Sequence, residues 1–88
     1  MWYTFKFYLY DDNPQDFSKI IINFIRKWED KNCCFIYHFI LDKTILYVHL
    51  EWKKYNRQFK NFLNDLNSNA VKPYCFDVKI FKELNINL

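Results

Sequence analysis

The chain opens on a segment of strict alternation. From Trp2 to Tyr10, the residues Tyr3, Phe5, Phe7 and Leu9 share one side of an extended backbone and Trp2, Thr4, Lys6, Tyr8 and Tyr10 share the other. This is the period of a half-buried strand built from aromatic residues. Asp11 to Pro14 stop it, and the period changes. Phe17, Ile20, Ile21, Phe24 and Trp28 recur at helical spacing, with Lys19, Asn23, Arg26 and Lys27 off that stripe. Asn13 offers an N-cap oxygen, Pro14 suits the first helical position and Asp16 places negative charge in the first turn. A second extended run, Cys33 to Leu41, meets a third, Thr44 to Trp52, across Asp42-Lys43. Two such runs two residues apart predict a hairpin, with Asp-Lys standing where Asp-Gly is the favoured turn. In that register Leu41 faces Thr44, Phe39 faces Leu46, Tyr37 faces Val48 and Phe35 faces Leu50. The other side then carries Cys34, Ile36, His38 and Ile40 beside Ile45, Tyr47, His49 and Glu51. From Asn56 a second helix places Phe59, Phe62, Leu63 and Leu66 on one stripe. It ends at Asn67-Ser68-Asn69, where Asn can take the left-handed cap in place of Gly. Lys72-Pro73 turns the chain into a last strand, Tyr74 to Lys82, with Tyr74, Phe76, Val78 and Ile80 on one side and Cys75, Asp77, Lys79 and Phe81 on the other. Leu84 to Leu88 reads as a tail.

No linker, repeat or low-complexity stretch divides this pattern, so residues 1–88 are expected to form a single domain. The order βαββαβ in so short a chain is that of the ferredoxin-like α+β sandwich: a four-stranded antiparallel sheet in the order 4-1-3-2 with two helices on one face. An open α+β arrangement with another strand order is the competing topology.

Composition narrows function mostly by exclusion. The 88 residues contain no glycine, which removes phosphate-cradling loops, dinucleotide fingerprints and nucleophile elbows, each of which needs a backbone position suited to Gly. A non-enzymatic protein without a cofactor is expected. The formal charge of +3 permits a nucleic-acid partner without requiring one. Three cysteines, two of them adjacent, do not make a disulfide set, so a reducing compartment with buried thiols is expected. No leader is read at the N-terminus, and Cys33 to Leu41 is too short to cross a membrane, so the expected location is the cytoplasm. Abundant Asn, Lys, Ile and Phe beside a single Ala are the bias of an A/T-rich gene, such as one from a virus or mobile element.

In the expected sandwich one sheet face is covered by helices and the other is open. Candidate contact residues on the open face are Lys6, Tyr8, Tyr10, His38, Tyr47, His49 and Lys79, together with Thr4, Ile40, Glu51, Asp77 and Phe81. The layout resembles the RNA-recognition motif, and the resemblance implies that Tyr8 and Tyr47, on the two central strands, stack bases. The segment Leu46 to Trp52 lacks the Gly and the leading cation of that family's third-strand motif. Lys53, Lys54, Arg57 and Lys60 form the one basic concentration, a candidate contact for phosphate or an acidic partner. Cys34, His38 and His49 share a face on paper, but four residues of strand separate Cys34 from His38 by about 13 Å, so no metal site is expected. The expected function is that of a small viral or mobile-element protein that binds and inhibits a host protein, such as a CRISPR-type defence nuclease. The alternatives are a single-stranded nucleic-acid module and a homodimeric interaction protein.

Overall fold

In the computed structural model, which describes residues 1–83, the elements run β1 (Trp2–Leu9), α1 (Pro14–Asp30), β2 (Cys34–Asp42), β3 (Ile45–Trp52), α2 (Asn56–Leu66) and β4 (Cys75–Glu83). The strands form one antiparallel sheet in the order β2-β3-β1-β4. This is the ferredoxin-like α+β fold that the element order predicts. The expected tail, Leu84 to Leu88, lies outside the described residues.

Helix α1 starts as its sequence dictates. The Asn13 side chain accepts from the Asp16 amide at 3.4 Å and donates to the Asp16 carboxylate at 2.8 Å, with Pro14 in the first turn. It ends at a left-handed residue, Asn32, with φ 59°. The Asn32 amide donates to the Glu29 carbonyl and the Cys33 amide to the Trp28 carbonyl, the paired bonds of a Schellman cap. The left-handed Asn expected after α2 is thus found after α1. Helix α2 instead closes on Asn67 with φ −90°, and the Ser68 amide and hydroxyl both donate to the Asp65 carbonyl. The buried face of α1 is also rotated from the expected stripe. Ile21, Ile22 and Ile25 are buried, whereas Ile20 is 37% exposed.

Between helices and sheet lies an aromatic core. Phe62 of α2 meets Phe5 of β1 at 5.6 Å, Trp28 of α1 at 5.5 Å and Trp52 of β3 at 5.2 Å between ring centroids. Edge-to-face geometry at Phe5 and Trp28 sets positive ring edges against negative faces. Phe62 is therefore where both helices and the two central strands converge.

Two register features correct the expected faces. The hairpin pairs Asp42 with Ile45 and Leu41 with Leu46, so its two-residue turn is Lys43-Thr44 and not Asp42-Lys43. Lys43 has φ 58°, a positive value at the first central position alone, the φ pattern of a type II′ hairpin turn. Further along, the β2–β3 register shifts between Ile36 and His38, so Tyr37 is an extra residue in a bulge. The bulge inverts the beginning of β2. Cys34 and Ile36, expected on the open face, are buried against the helices, and Phe35 and Tyr37, expected inside, are exposed. A second shift, between Tyr8 and Leu9 on the β1–β4 ladder, pairs Leu9 with Cys75, so that Cys75 is buried and Phe76 is exposed. That reverses the expected positions of these two residues. All three cysteines are free and buried. Burial pushes the Cys34 thiol up to about 12, with the Glu29 and Cys33 charges adding to it, and the Cys75 thiol up to about 11, from an ordinary 9.0.

The candidate interaction face

Among the described residues the open face belongs to the four strands alone, and it divides into three zones. At the start of β1, Trp2 lies 4.7 Å from Tyr37, and Tyr37 lies 6.1 Å from Phe35 in an edge-to-face pair. The Lys53 ammonium sits 5.5 Å from the Phe35 ring, within cation–π range. The bulge assembles this zone by placing Phe35 and Tyr37, on either side of the buried Ile36, outward.

The middle zone is polar. The Thr4 hydroxyl donates to the Glu83 carboxylate at 3.0 Å and lies 2.9 Å from His49 Nδ1, which is 3.5 Å from the same carboxylate oxygen. With the Thr4 proton directed to Glu83, His49 Nδ1 is the donor to Thr4, and Nε2 is the nitrogen left for other contacts. The His38 ring stacks on His49 at 6.0 Å. Thr4, His38 and His49 occupy one register row, and Glu83 reaches that row from the next. Among the described residues, no three His, Cys, Asp or Glu side chains group so as to hold a metal ion. Cys34 lies on the helix side of the sheet, away from the two histidines.

At the far end of β1, Lys6 pairs across the ladders with Tyr47 on one side and Lys79 on the other. The Lys6 ammonium stands 5.2 Å from the Tyr8 ring and 5.5 Å from the Tyr47 ring, and Lys79 stands 5.6 Å from Tyr8. The Lys6 ammonium is held above its ordinary 10.5 chiefly by side-chain hydrogen bonding to Tyr8, with desolvation opposing and Tyr47 adding to the rise. Phe76 extends this zone, 6.0 Å from Tyr8 and 5.7 Å from Tyr10.

Every contact residue read from the sequence on β1, β2, β3 and β4 therefore lies on one surface: Lys6, Tyr8, His38, Tyr47, His49 and Lys79, with Tyr10 adjoining through Phe76. Pattern reading missed Trp2, Phe35, Tyr37 and Phe76, the last three because of the register shifts. Lys53, Lys54, Arg57 and Lys60 are all exposed at the β3–α2 junction. Among the described residues none of the four takes part in an ion pair. No described helix is long and apolar enough to cross a membrane. Comparison with family models, curated proteins and solved structures finds no match to the chain.

Proposed function

We propose that this chain is a non-enzymatic binding protein that acts by covering a surface of another protein with its open sheet face. The observation that carries this reading is the exposure of Phe35, Tyr37, Ile40, Phe76 and Phe81 on one uncovered sheet, around the less exposed Trp2, Tyr8 and Tyr47. Exposed aromatic clusters gathered on one sheet face mark a protein contact more than scattered single residues do, and Trp and Tyr are its usual anchors. The finer role is inhibition of a host protein in the cytoplasm, with a nucleic-acid-handling defence nuclease as the target. The A/T-rich compositional bias and the small glycine-free chain support a viral or mobile-element origin. The test is capture from host lysate with and without nuclease treatment. A specific protein retained after nuclease treatment and lost on Tyr37→Asp supports the reading. Recovery of nothing specific by the wild-type chain rejects it.

One observation favours a second reading, direct binding of single-stranded nucleic acid. Lys6 stands between Tyr8 and Tyr47, on the two central strands, where phosphate contact and base stacking would combine, and Lys53, Lys54, Arg57 and Lys60 would extend the phosphate path. Affinity would then fall steeply with salt, and Tyr8→Ala or Tyr47→Ala would each cost about 1–3 kcal/mol. Binding that ignores both changes excludes this mode.

A further inference from the structure

From the end of β3 into the second turn of α2 the chain carries Lys53, Lys54, Arg57 and Lys60 and no carboxylate. The other nine of its thirteen Lys and Arg are set against all ten Asp and Glu. The net positive charge of the protein therefore comes from this one segment. A solvated helix face normally interleaves acids with bases three or four residues apart, as Arg26 and Glu29 do on α1 at 3.0 Å. Helix α2 does the opposite. Arg57 stands in its first turn, which holds no acid, and Lys60 follows three residues later. A cation at the positive end of a helix and a like-charge pair at that spacing both cost stability. Among the described residues none of the four cations lies within ion-pair distance of a carboxylate, the neighbouring Glu51 and Asp65 included.

Tyr55, in the middle of the segment, is 82% exposed, more than any other large apolar or aromatic side chain of the described residues. Together with Asn56, Arg57 and Gln58 it lines a shallow recess of about 470 Å³, in the size range of sites that take one small ligand group.

We propose that the β3–α2 corner binds the backbone of a single-stranded nucleic acid, with Lys53, Lys54, Arg57 and Lys60 on its phosphates and one unpaired base on the Tyr55 ring. The ligand class is that of the second reading above, but the site is a different one and needs neither Lys6, Tyr8 nor Tyr47. Four unpaired cations spread from the end of a strand over two turns of helix call for a chain of anions, and the planar Arg57 fork suits two oxygens of one phosphate. An acidic peptide would answer the charge but offer Tyr55 no flat partner. A duplex would answer the charge and keep its bases stacked inside. A single strand supplies both phosphates and free base faces. The corner adjoins the open face at Lys53, whose ammonium stands 5.5 Å from the Phe35 ring.

The test is fluorescence anisotropy of a labelled oligothymidylate of about 12 nucleotides, titrated with the full chain between about 50 and 200 mM salt. Four phosphate contacts on a single strand give a slope of about −3 for log K against log salt, and Arg57→Ala and Lys60→Ala should each make it shallower by about 0.7. Tyr55→Ala should weaken binding about fivefold or more and leave the slope unchanged. Arg57→Glu should weaken binding further than Arg57→Ala, yet its urea midpoint should equal or exceed that of wild type, because it puts an acid where the helix favours one; lost binding is thereby told apart from lost folding. The proposal is overturned if the chain does not bind at low salt, if the corner variants bind as wild type does, or if Tyr55→Ala costs nothing. Equal affinity for a duplex or for polyglutamate of matching length also overturns it. A loss on Tyr8→Ala or Tyr47→Ala that exceeds the loss at the corner would place the strand on the open face instead. The protein-contact reading stands or falls separately, on Tyr37-dependent capture after nuclease treatment.

Discussion

Lys43 holds a backbone conformation that its own side chain opposes. At φ 58° the Cβ of an L-residue crowds the following carbonyl, at a cost of about 1–2 kcal/mol. The hairpin imposes this because the Asp42–Ile45 pairing leaves two residues to reverse the chain, and the right-handed twist of the strands selects a turn with positive φ. Lys43→Gly removes the clash but adds freedom to the unfolded chain, worth roughly 0.5–1 kcal/mol in the opposite sense. The net expectation is stabilisation by about 0.5–1 kcal/mol, which raises the thermal midpoint of a domain this size by about 2–8 °C. Thermal unfolding followed by circular dichroism, with urea titration as a second measure, reads this directly. The neighbouring substitutions act as controls. Asp42 and Thr44 do not have positive φ, so Asp42→Gly and Thr44→Gly gain nothing from the turn and should each destabilise by about 0.5–1 kcal/mol. A Lys43→Gly chain no more stable than wild type, or a stabilised Asp42→Gly chain, would refute the turn assignment and the register that depends on it.

Phe62→Ala should cost about 3–5 kcal/mol in urea unfolding, because Phe62 is fully buried and packs on Phe5, Trp28 and Trp52; a loss below about 1 kcal/mol would mean that the aromatic core is misplaced. The buried thiols predict an alkaline loss of stability. Cys34 is neutral in the fold up to about 12 but ionises near 9.0 once unfolded, so its contribution is complete below pH 9.0 and is lost as pH rises from there through about 12. The wild-type urea midpoint should therefore fall more steeply over that window than that of Cys34→Ala, and equal slopes would contradict the burial. Glu29 accepts from the Ile36 amide at 2.7 Å and from Arg26 at 3.0 Å. Glu29→Ala leaves that amide unsatisfied, with an expected cost of about 1–3 kcal/mol, while Glu29→Gln, which keeps an acceptor, should lose less; equal losses would place the effect elsewhere.

The element order was legible because each element carries an uninterrupted period. Phe5, Phe7 and Leu9 could belong only to one side of a strand, and Asn13-Pro14 marks the start of α1 before any packing is considered. What could not be read was register. Cys33 to Leu41 is apolar on both sides apart from His38, and from Cys33 to Ile36 no charged or strongly polar side chain marks which side faces solvent, so the change of face at Tyr37 leaves no sign in the sequence. The bulge there comes from tertiary contacts: the Ile36 amide is taken by Glu29 and the Tyr37 ring rests on Trp2. Likewise, Cys75 and Phe76 exchange sides because the β1–β4 ladder slips at Tyr8/Leu9, and the inward Cys75 thiol then meets the Val71 carbonyl at 3.8 Å. The candidate face was legible where cations and histidines interrupt the aromatics, on β1, β3 and the middle of β2 and β4. It was hidden where only aromatics stand in sequence.

The sheet offers a partner two kinds of surface, its edges and its open face, and the edge strands each carry a carboxylate on a backbone amide. On β2, Glu29 reaches from α1 to accept from Ile36. On β4, the Asp77 side chain accepts from the Val78 amide at 2.9 Å. An incoming strand would have to displace each carboxylate to use that donor, and it would desolvate the charge in doing so. Bound carboxylates and bulges are devices that keep sheet edges from pairing with other chains. The bulge at Tyr37 does both: it breaks the regular spacing of an edge and turns Phe35 and Tyr37 onto the open face. The same local irregularity thus discourages strand addition and enlarges the aromatic surface. Binding should follow the face residues and be indifferent to the edges. Glu29→Gln, which keeps an acceptor for the Ile36 amide and removes the charge from the β2 edge, should leave partner capture within about twofold of wild type, whereas Tyr37→Asp should abolish capture. The opposite ranking in a side-by-side binding measurement would mean that this chain recognises its partner by adding a strand.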